Sequence, residues 1–537
     1  MEGLQEELRL LSEGLWSRYE AETAPMVREL KSLMEKCDCA AAAAATLTNT
    51  HSSYITPAGR RWFKLQPRGK SKAAKVEDRV ARFFRHLTNT VAERLAESNF
   101  YTATHEVYED RVEGGTGACY IGGSDTEPLY FTHLPLGTFV VDDDARGRVH
   151  TLVRKFVYTP AQAEMEWGRE CLSERVRAWC ADPRMRHSQK VEFQQIVRPN
   201  MKQVKAGWRD IPEELRAYEG YYVESEGYHV VKREGFFEFP FLVTRYLRAA
   251  GSPYGVPPGK KVLPAIRQLV KLERLMDSLA EVQAFPRILQ LAGQNKQVDM
   301  KAGGITTISE DEARLNMPRE WGTGGRYDIG LDRIRDKEQA IRRAYHEDML
   351  LSVTAQDKQM TAREVEERVA EKILAFIPSF TLFIADNAVA MRRVLGVLMR
   401  RNELALEDAP AELLQESPEG HGPEVLNPQV AYLGRIAQAL ELLVARGDQR
   451  VIDKVLVWVQ GSGRTDMLEW IDEEALLHGW VDQEGASDHI VLPGGDIERK
   501  KMMKETAQMV QESAMMQGDA LAAAGQVADI KRKMGGQ

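Results

Sequence analysis

Residues 252–286 read SPYGVPPGKKVLPAIRQLVKLERLMDSLAEVQAFP, and this stretch sets the architecture. Within it Val262, Ile266, Leu269, Leu272, Met276 and Leu279 recur every three to four positions with charges opposite, the period of an amphipathic helix. At about 1.5 Å per residue, twenty-odd residues make a rod of roughly 30 Å, which Pro286 ends or bends. Residues 331–353, LDRIRDKEQAIRRAYHEDMLLSV, predict a second rod with Ile334, Ile341, Tyr345 and Met349 on one face. Between the two, Ile288–Gly330 is Gly-rich and strand-like. The order is rod, small inserted head, rod.

Toward the N-terminus, the texture before the first rod is β-rich. Leu129–Thr132, Thr138–Val141, His150–Tyr158, Glu219–Val231 and Phe236–Tyr246 are β-branched and aromatic runs that predict strands. Val140–Leu152 predicts a hairpin around Asp142, Asp143, Asp144 and Gly147, and Pro160–Asp182 a helix. Further back, Leu4, Leu8, Leu11 and Leu15, and then Met26–Met34 after Pro25, predict an α-hairpin. Asn49–Lys75 reads as an extended connector holding Trp62, Phe63 and Leu65, and Val76–Phe100 as an amphipathic helix. Beyond the second rod, Thr354–Gln359 is a polar break and Thr361 with Glu364 makes a capping box. Helices then run to a Met- and Ala-rich tail.

Composition narrows the function. The 537 residues are 43% hydrophobic and 28% charged, enough for two to four folding units at roughly 150 residues each and too well mixed for a disordered chain. Lys and Arg total 72 against 80 Asp and Glu, a net charge of −8, which excludes a general nucleic-acid coat. Five cysteines (Cys37, Cys39, Cys119, Cys171, Cys180) suit free thiols in a reducing compartment. The longest apolar tract, Cys39–Ala45, is far short of the ~18–20 residues that span a bilayer, and the acidic N-terminus does not resemble a signal peptide, so no membrane role is expected.

The catalytic motifs fail. Gly69-Lys70-Ser71 has Lys64 where a phosphate loop needs its first glycine, and Gly255–Gly259 is one residue short. No second Cys or His pair comes after Cys37, Cys39 and His51, Glu109 stands where a two-histidine zinc motif needs its second histidine, and Arg146 and Val153 occupy ligand positions of a calcium loop starting in Asp142–Asp144. The expectation is no enzyme, no cofactor and no metal: a structural or assembly protein of α+β class, mostly α-helical.

Several segments, taken in order, resemble the head-to-tail connector, or portal, proteins of short-tailed, T7-like bacteriophages. Asn99-Phe100-Tyr101 with His105-Glu106 and Gly115-Thr116-Gly117-Ala118 resembles the family's helix end and entry into its β region. Arg148-Val149, Arg154-Lys155-Phe156, Thr159, Gln162 and Trp167-Gly168 resemble the strand and helix of that region. Ser252-Pro253-Tyr254-Gly255 with Leu263-Pro264, Ile266-Arg267 and Leu272 resembles the lead into the stem, and Gln359-Met360-Thr361-Ala362 with Glu364-Val365 and Glu371-Lys372 the segment after it. The resemblance runs over roughly residues 15–500, and the chain departs from it at Arg363 and between Leu404 and Gly463.

This resemblance implies the portal fold of wing, stem, clip and crown, assembled as a ring of usually twelve subunits around a DNA channel. Residues 1–256 would be wing, 257–285 the first stem helix, 286–332 clip, 333–353 the second stem helix, 354–360 tunnel loop, 361–463 returning wing helices, and 464–537 crown and tail. Val262, Ile266, Leu269, Leu272, Met276, Ile341 and Tyr345 would pack the stem. Gln356, Asp357, Lys358 and Gln359 would form the tunnel loop, with Lys358 facing DNA, and Arg314, Arg319, Trp321 and Arg326 would make the clip a docking surface. Implied partners are double-stranded DNA passing without sequence specificity, the terminase large subunit, scaffold and major capsid proteins, tail adaptor and nozzle proteins, and internal core proteins. The implied place is the capsid portal vertex of the virion, after assembly in the host cytoplasm. Twelve copies at −8 would sum to about −96, so most of the ring would repel a duplex, which suits a sleeve. A non-ring helical scaffold or adaptor would explain the rods but not the β-rich unit and inserted head; a metal-dependent enzyme around Asp142–Asp144 is the third reading.

Overall fold

The N-terminal leucines bury as their spacing requires. Helix α1 (Glu2–Glu22) buries Leu8 and Leu15, and α2 (Ala24–Met34), with Pro25 in its first turn, buries Val27, Leu30 and Met34. The computed structural model of the chain describes residues 2–66, 74–202, 211–284, 287–289, 319–321, 327–347, 377–404, 414–416, 423–425 and 429–432. Helix α3 (Asp38–Tyr54) continues through Asn49–Tyr54, where the sequence suggested an extended connector. Thr46, Thr50, Ser52 and Ser53 each donate a hydroxyl to the carbonyl four residues back, so residues that usually leave a helix stay in this one. Strand β1 (Phe63–Gln66) buries Phe63 and Leu65, and α4 (Ala74–Glu97) and α5 (Phe100–Glu113) come next.

Eight strands then build two antiparallel sheets. They are β2 (Thr116–Gly122), β3 (Tyr130–Leu134), β4 (Phe139–Asp143), β5 (Val149–Tyr158), β6 (Val191–Pro199), β7 (Tyr218–Glu224), β8 (Val230–Phe236) and β9 (Phe241–Arg245). The first sheet runs β3-β2-β9; the second is the meander β4-β5-β6-β7-β8. The run Glu219–Val231, legible as one strand, is two, because Gly227 and Tyr228 turn the chain at φ 82° and 51°. The expected helix over Pro160–Asp182 is likewise divided. Helix α6 (Pro160–Trp167), capped by Thr159 and Gln162, stops at Gly168 with φ 82°, and α7 (Glu174–Ala181) restarts on the Ser173 cap before the short α8 (Met185–Ser188). Asp144 confirms the expected hairpin turn between β4 and β5: its Oδ1 accepts from the backbone N–H groups of Arg146 and Arg148 at 2.9 and 2.8 Å.

The first rod is α9 (Pro258–Ala284), and the second, α10 (Tyr327–Ala344), begins four residues before its expected start. They are antiparallel. Gly330 at the start of α10 lies against Met276 late in α9, and Tyr345 just after α10 lies against Gly259 early in α9. At about 1.5 Å per residue the 27 residues of α9 span roughly 40 Å. At the far end the chain departs and returns as a two-stranded pair, β10 (Arg287–Leu289) with β11 (Arg319–Trp321), in register Arg287 to Trp321. Helix α11 (Ile377–Arg400) returns to the β-rich body, β12 (Leu414–Glu416) pairs with β13 (Pro423–Val425), and β14 (Gln429–Tyr432) closes against β1. Among the described residues no helix is long and apolar enough to cross a membrane.

Candidate functional site: the anchor of the paired-helix rod

Two segments far apart in sequence meet at the base of the rod. The backbone N–H of Gly255 donates to Thr116 Oγ1 at 2.8 Å, and the N–H of Tyr246 donates to the Gly115 carbonyl at 2.9 Å. Gly115 has φ 87°, and a side chain at either Gly115 or Gly255 would strike the other's carbonyl. Tyr254, on the same segment, accepts from the Val141 N–H at 3.1 Å and packs its ring 5.2 Å from that of Tyr19. So the Gly-Thr-Gly-Ala and Ser-Pro-Tyr-Gly motifs form one joint that clamps the start of α9 to β2, β4 and α1.

Behind this joint lies a buried charge network that the sequence did not disclose. Arg245 is 2% exposed; its Nη2 donates to Asp386 Oδ1 and to the Gly147 carbonyl, each at 3.0 Å, while its backbone N–H reaches Asp386 Oδ2 at 3.2 Å. Arg111 is fully buried, donates Nε to the Arg245 carbonyl at 3.1 Å, and has its guanidinium over the Tyr246 and Phe383 rings. Burial pushes the Asp386 carboxyl up, and the Arg245 charge and hydrogen bonds pull it back. Beside them His51 packs between Tyr108 and Tyr246, and burial, with the nearby charges of Arg111 and His346, pulls its imidazole well below the ordinary histidine value. The network ties α5, the β4–β5 turn, β9 and α11 to the joint. In sequence Arg111 sits among polar neighbours and looks like a surface charge; for Arg245 the one signal was that it lies in the apolar run Phe241–Leu247.

The predicted stem residues divide along the rod. Ile266, Leu269, Ile341 and Tyr345 are buried in one core with Leu30, Ala40, Ala43, Ala44 and Leu47 of α2 and α3, and Val262 packs on its margin. The small alanines of α3 allow this close approach. Leu272 and Met276 are only half-buried, and from Lys271 to Glu281 no side chain is buried among the described residues. Leu275 and Ile329, 55% and 50% exposed, stand beside the Met276–Gly330 contact. The outer half of the rod therefore carries apolar side chains that the described residues do not cover.

Of the predicted docking residues, Arg319 and Trp321 lie on β11, at opposite ends of its pairing with β10; Arg314 and Arg326 lie outside the described residues. So do Gln356, Asp357, Lys358 and Gln359 of the expected tunnel loop, and the Thr361 cap. The β10–β11 pair itself lies past the end of α9, away from the joint. Among the described residues no cluster of His, Cys, Asp and Glu could hold a metal ion.

A sequence profile described as bacteriophage head to tail connecting protein matches residues 34–491. The chain is 24% identical over 476 residues to a probable portal protein of Bordetella phage BPP-1, covering 86% of this chain and 80% of the relative. It is also 22% identical over 483 residues to the portal protein of Salmonella phage epsilon15, covering 88% and 83%.

Proposed function

The chain belongs to the bacteriophage head-to-tail connecting proteins and has the role of a portal protein; on that basis we propose that it works as a closed ring of about twelve subunits through which DNA enters and leaves the capsid. The observation that carries the proposal is the antiparallel rod, locked at its base by the Gly115–Gly255 joint and, among the described residues, apolar but uncovered along its outer half at Leu275 and Ile329. Neighbouring rods in a ring would cover that surface. Heterologous packing, in which unlike faces meet around a closed rotation, would suit a rod with more than one apolar stripe.

In this reading the body of sheets and N-terminal helices is the wing, α9 and α10 are the stem, and the segment entered through β10 and left through β11 is the clip. The clip, with Arg314, Arg319, Trp321 and Arg326, would dock the terminase motor during packaging and the tail adaptor afterwards. ATP hydrolysis would belong to that separate motor, and scaffold, capsid, nozzle and core proteins would meet other faces of the ring at the virion vertex. Lys358 would face the duplex, a sparse cation that positions DNA by its phosphates without reading sequence. Packaged DNA length in capsids carrying Lys358→Ala tests the channel assignment: shortened or leaking genomes are expected, and unchanged packaging and retention would remove Lys358 from the channel. Normal binding of both motor and adaptor after deletion of Gly303–Gly325 would remove the docking role from the clip.

A further inference from the structure

Strand β5 is longer than the neighbour on one of its edges. β4 pairs with it only as far as Phe139 opposite Arg154, and the N–H of Lys155 makes the last bond across, to the Thr138 carbonyl at 2.7 Å. On the other edge β6 pairs through Tyr158. The Glu192 carbonyl, opposite Val157, turns away to accept from Ser225 at 2.9 Å, so Val157 directs its own N–H and C=O to the edge that β4 has left. Its side chain is 52% exposed.

Across a cleft of about 590 Å³ stands the outer edge of β3. There the N–H and C=O of Phe131 are both satisfied by the Asn99 side chain, at 2.8 and 2.7 Å. Two residues on, His133 directs its backbone groups the same way without Asn99 to cap them. Among the described residues, two open strand edges thus face one slot.

The slot holds an uncompensated cation. Arg154 has its guanidinium 5.2 Å from the Tyr120 ring centroid and 5.3 Å from that of Phe156, and its buried Nε has no hydrogen-bond partner among the described residues. Among those residues no carboxylate pairs with it either. The other charged groups lining the cleft are engaged: Lys155 with Glu192 at 3.7 Å and over the Trp16 ring, and His133 with Asp110 at 2.7 Å. A guanidinium held between rings with no carboxylate paired to it among the described residues fits a carboxylate, and open N–H and C=O groups fit an extended backbone.

We infer that this slot takes an extended, carboxylate-bearing segment of a second copy of this chain, added as a strand to β5 beside Val157 with its acid on Arg154. The inference rests on the ring reading, which sets an unlike face of the neighbour against each flank, and on charge complementarity: a copy of net −8 offers more carboxylates (80) than cations (72) to a slot whose one charge without a partner among the described residues is Arg154. An uncovered edge of this kind would otherwise invite indiscriminate pairing.

Hydrogen exchange on the full chain, as dilute subunit and as assembled ring, tests it. The peptide containing Val157 should exchange at least about tenfold more slowly in the ring. Arg154→Glu should raise the concentration for half-maximal assembly about tenfold. Val157→Pro, which removes an N–H that no described residue accepts, should abolish the protection. A ring that forms with Val157 unprotected and Arg154→Glu assembling normally overturns the inference and leaves the ring intact. Protection that appears only on adding a different virion protein overturns the choice of partner. A wild-type chain that forms no ring removes the ring reading, and this inference with it.

Discussion

His51 and Arg245 show how single buried groups set the condition of the joint. The folded state holds His51 neutral, with an imidazole value well below 6.5, whereas the unfolded chain protonates near 6.5. The unfolded state therefore binds the extra proton, and the contribution of neutral His51 is full above pH ~6.5 and lost as pH falls below it, by up to about 1.4 kcal/mol per pH unit. Between pH 7.5 and pH 5.5 the thermal midpoint should fall for the wild type and fall less for His51→Phe; equal losses in both would contradict the assignment. Asp386→Ala leaves the Arg245 guanidinium buried with Asp143 Oδ2 at 3.9 Å as its nearest carboxylate among the described residues. Stability should drop by about 3–5 kcal/mol in denaturant titration, and Arg245→Met with Asp386→Leu should recover much of it. A single-variant loss below ~1 kcal/mol would mean that the pair is not what ties α11 to β9.

Among the elements, the sequence discloses whatever has a clean period and hides whatever the tertiary structure decides. α9 and α10 are legible because Val262–Leu279 repeats every three to four residues and Ile334, Ile341 and Tyr345, seven and four apart, share one helical face, and the β4–β5 hairpin because Asp144 and Gly147 have one use between two β-branched runs. α3 is hidden in Thr, Asn and Ser, residues whose preference for leaving a helix is overridden by hydroxyls folded onto its own carbonyls. β6 is hidden because Gln194 and Gln195 are buried in it, Gln194 bonded to Ser12 and Ser225 and Gln195 donating its Nε2 to Tyr222. Thr116 and Gly255 stand 139 residues apart, and neither motif carries a sign that the two touch. The rod's exposed half yields its own prediction. Leu275→Asp with Ile329→Asp should leave the subunit's melting within about 1 kcal/mol, since both are half or more exposed, while abolishing assembly on a sizing column. Normal assembly of the double variant would take the outer rod out of the interface.

The whole molecule is a shape with two ends. One end is a body of two antiparallel sheets and packed helices, fastened to the rod by backbone contacts too close for any side chain at Gly115 or Gly255. The other is a tip roughly 40 Å away, where the chain leaves through β10 and returns through β11. Among the described residues such a subunit leaves apolar rod surface and a strand edge uncovered while burying its charges at the joint, which is how a part made to be completed by neighbours is built. The most direct measurement is the native mass of the purified chain, with negative-stain images of the same sample. A closed ring of about a dozen subunits with a central hole is expected, near 730 kDa for twelve copies of 60.6 kDa. A discrete monomer at every concentration, persisting when the scaffold partner is added, would contradict the ring.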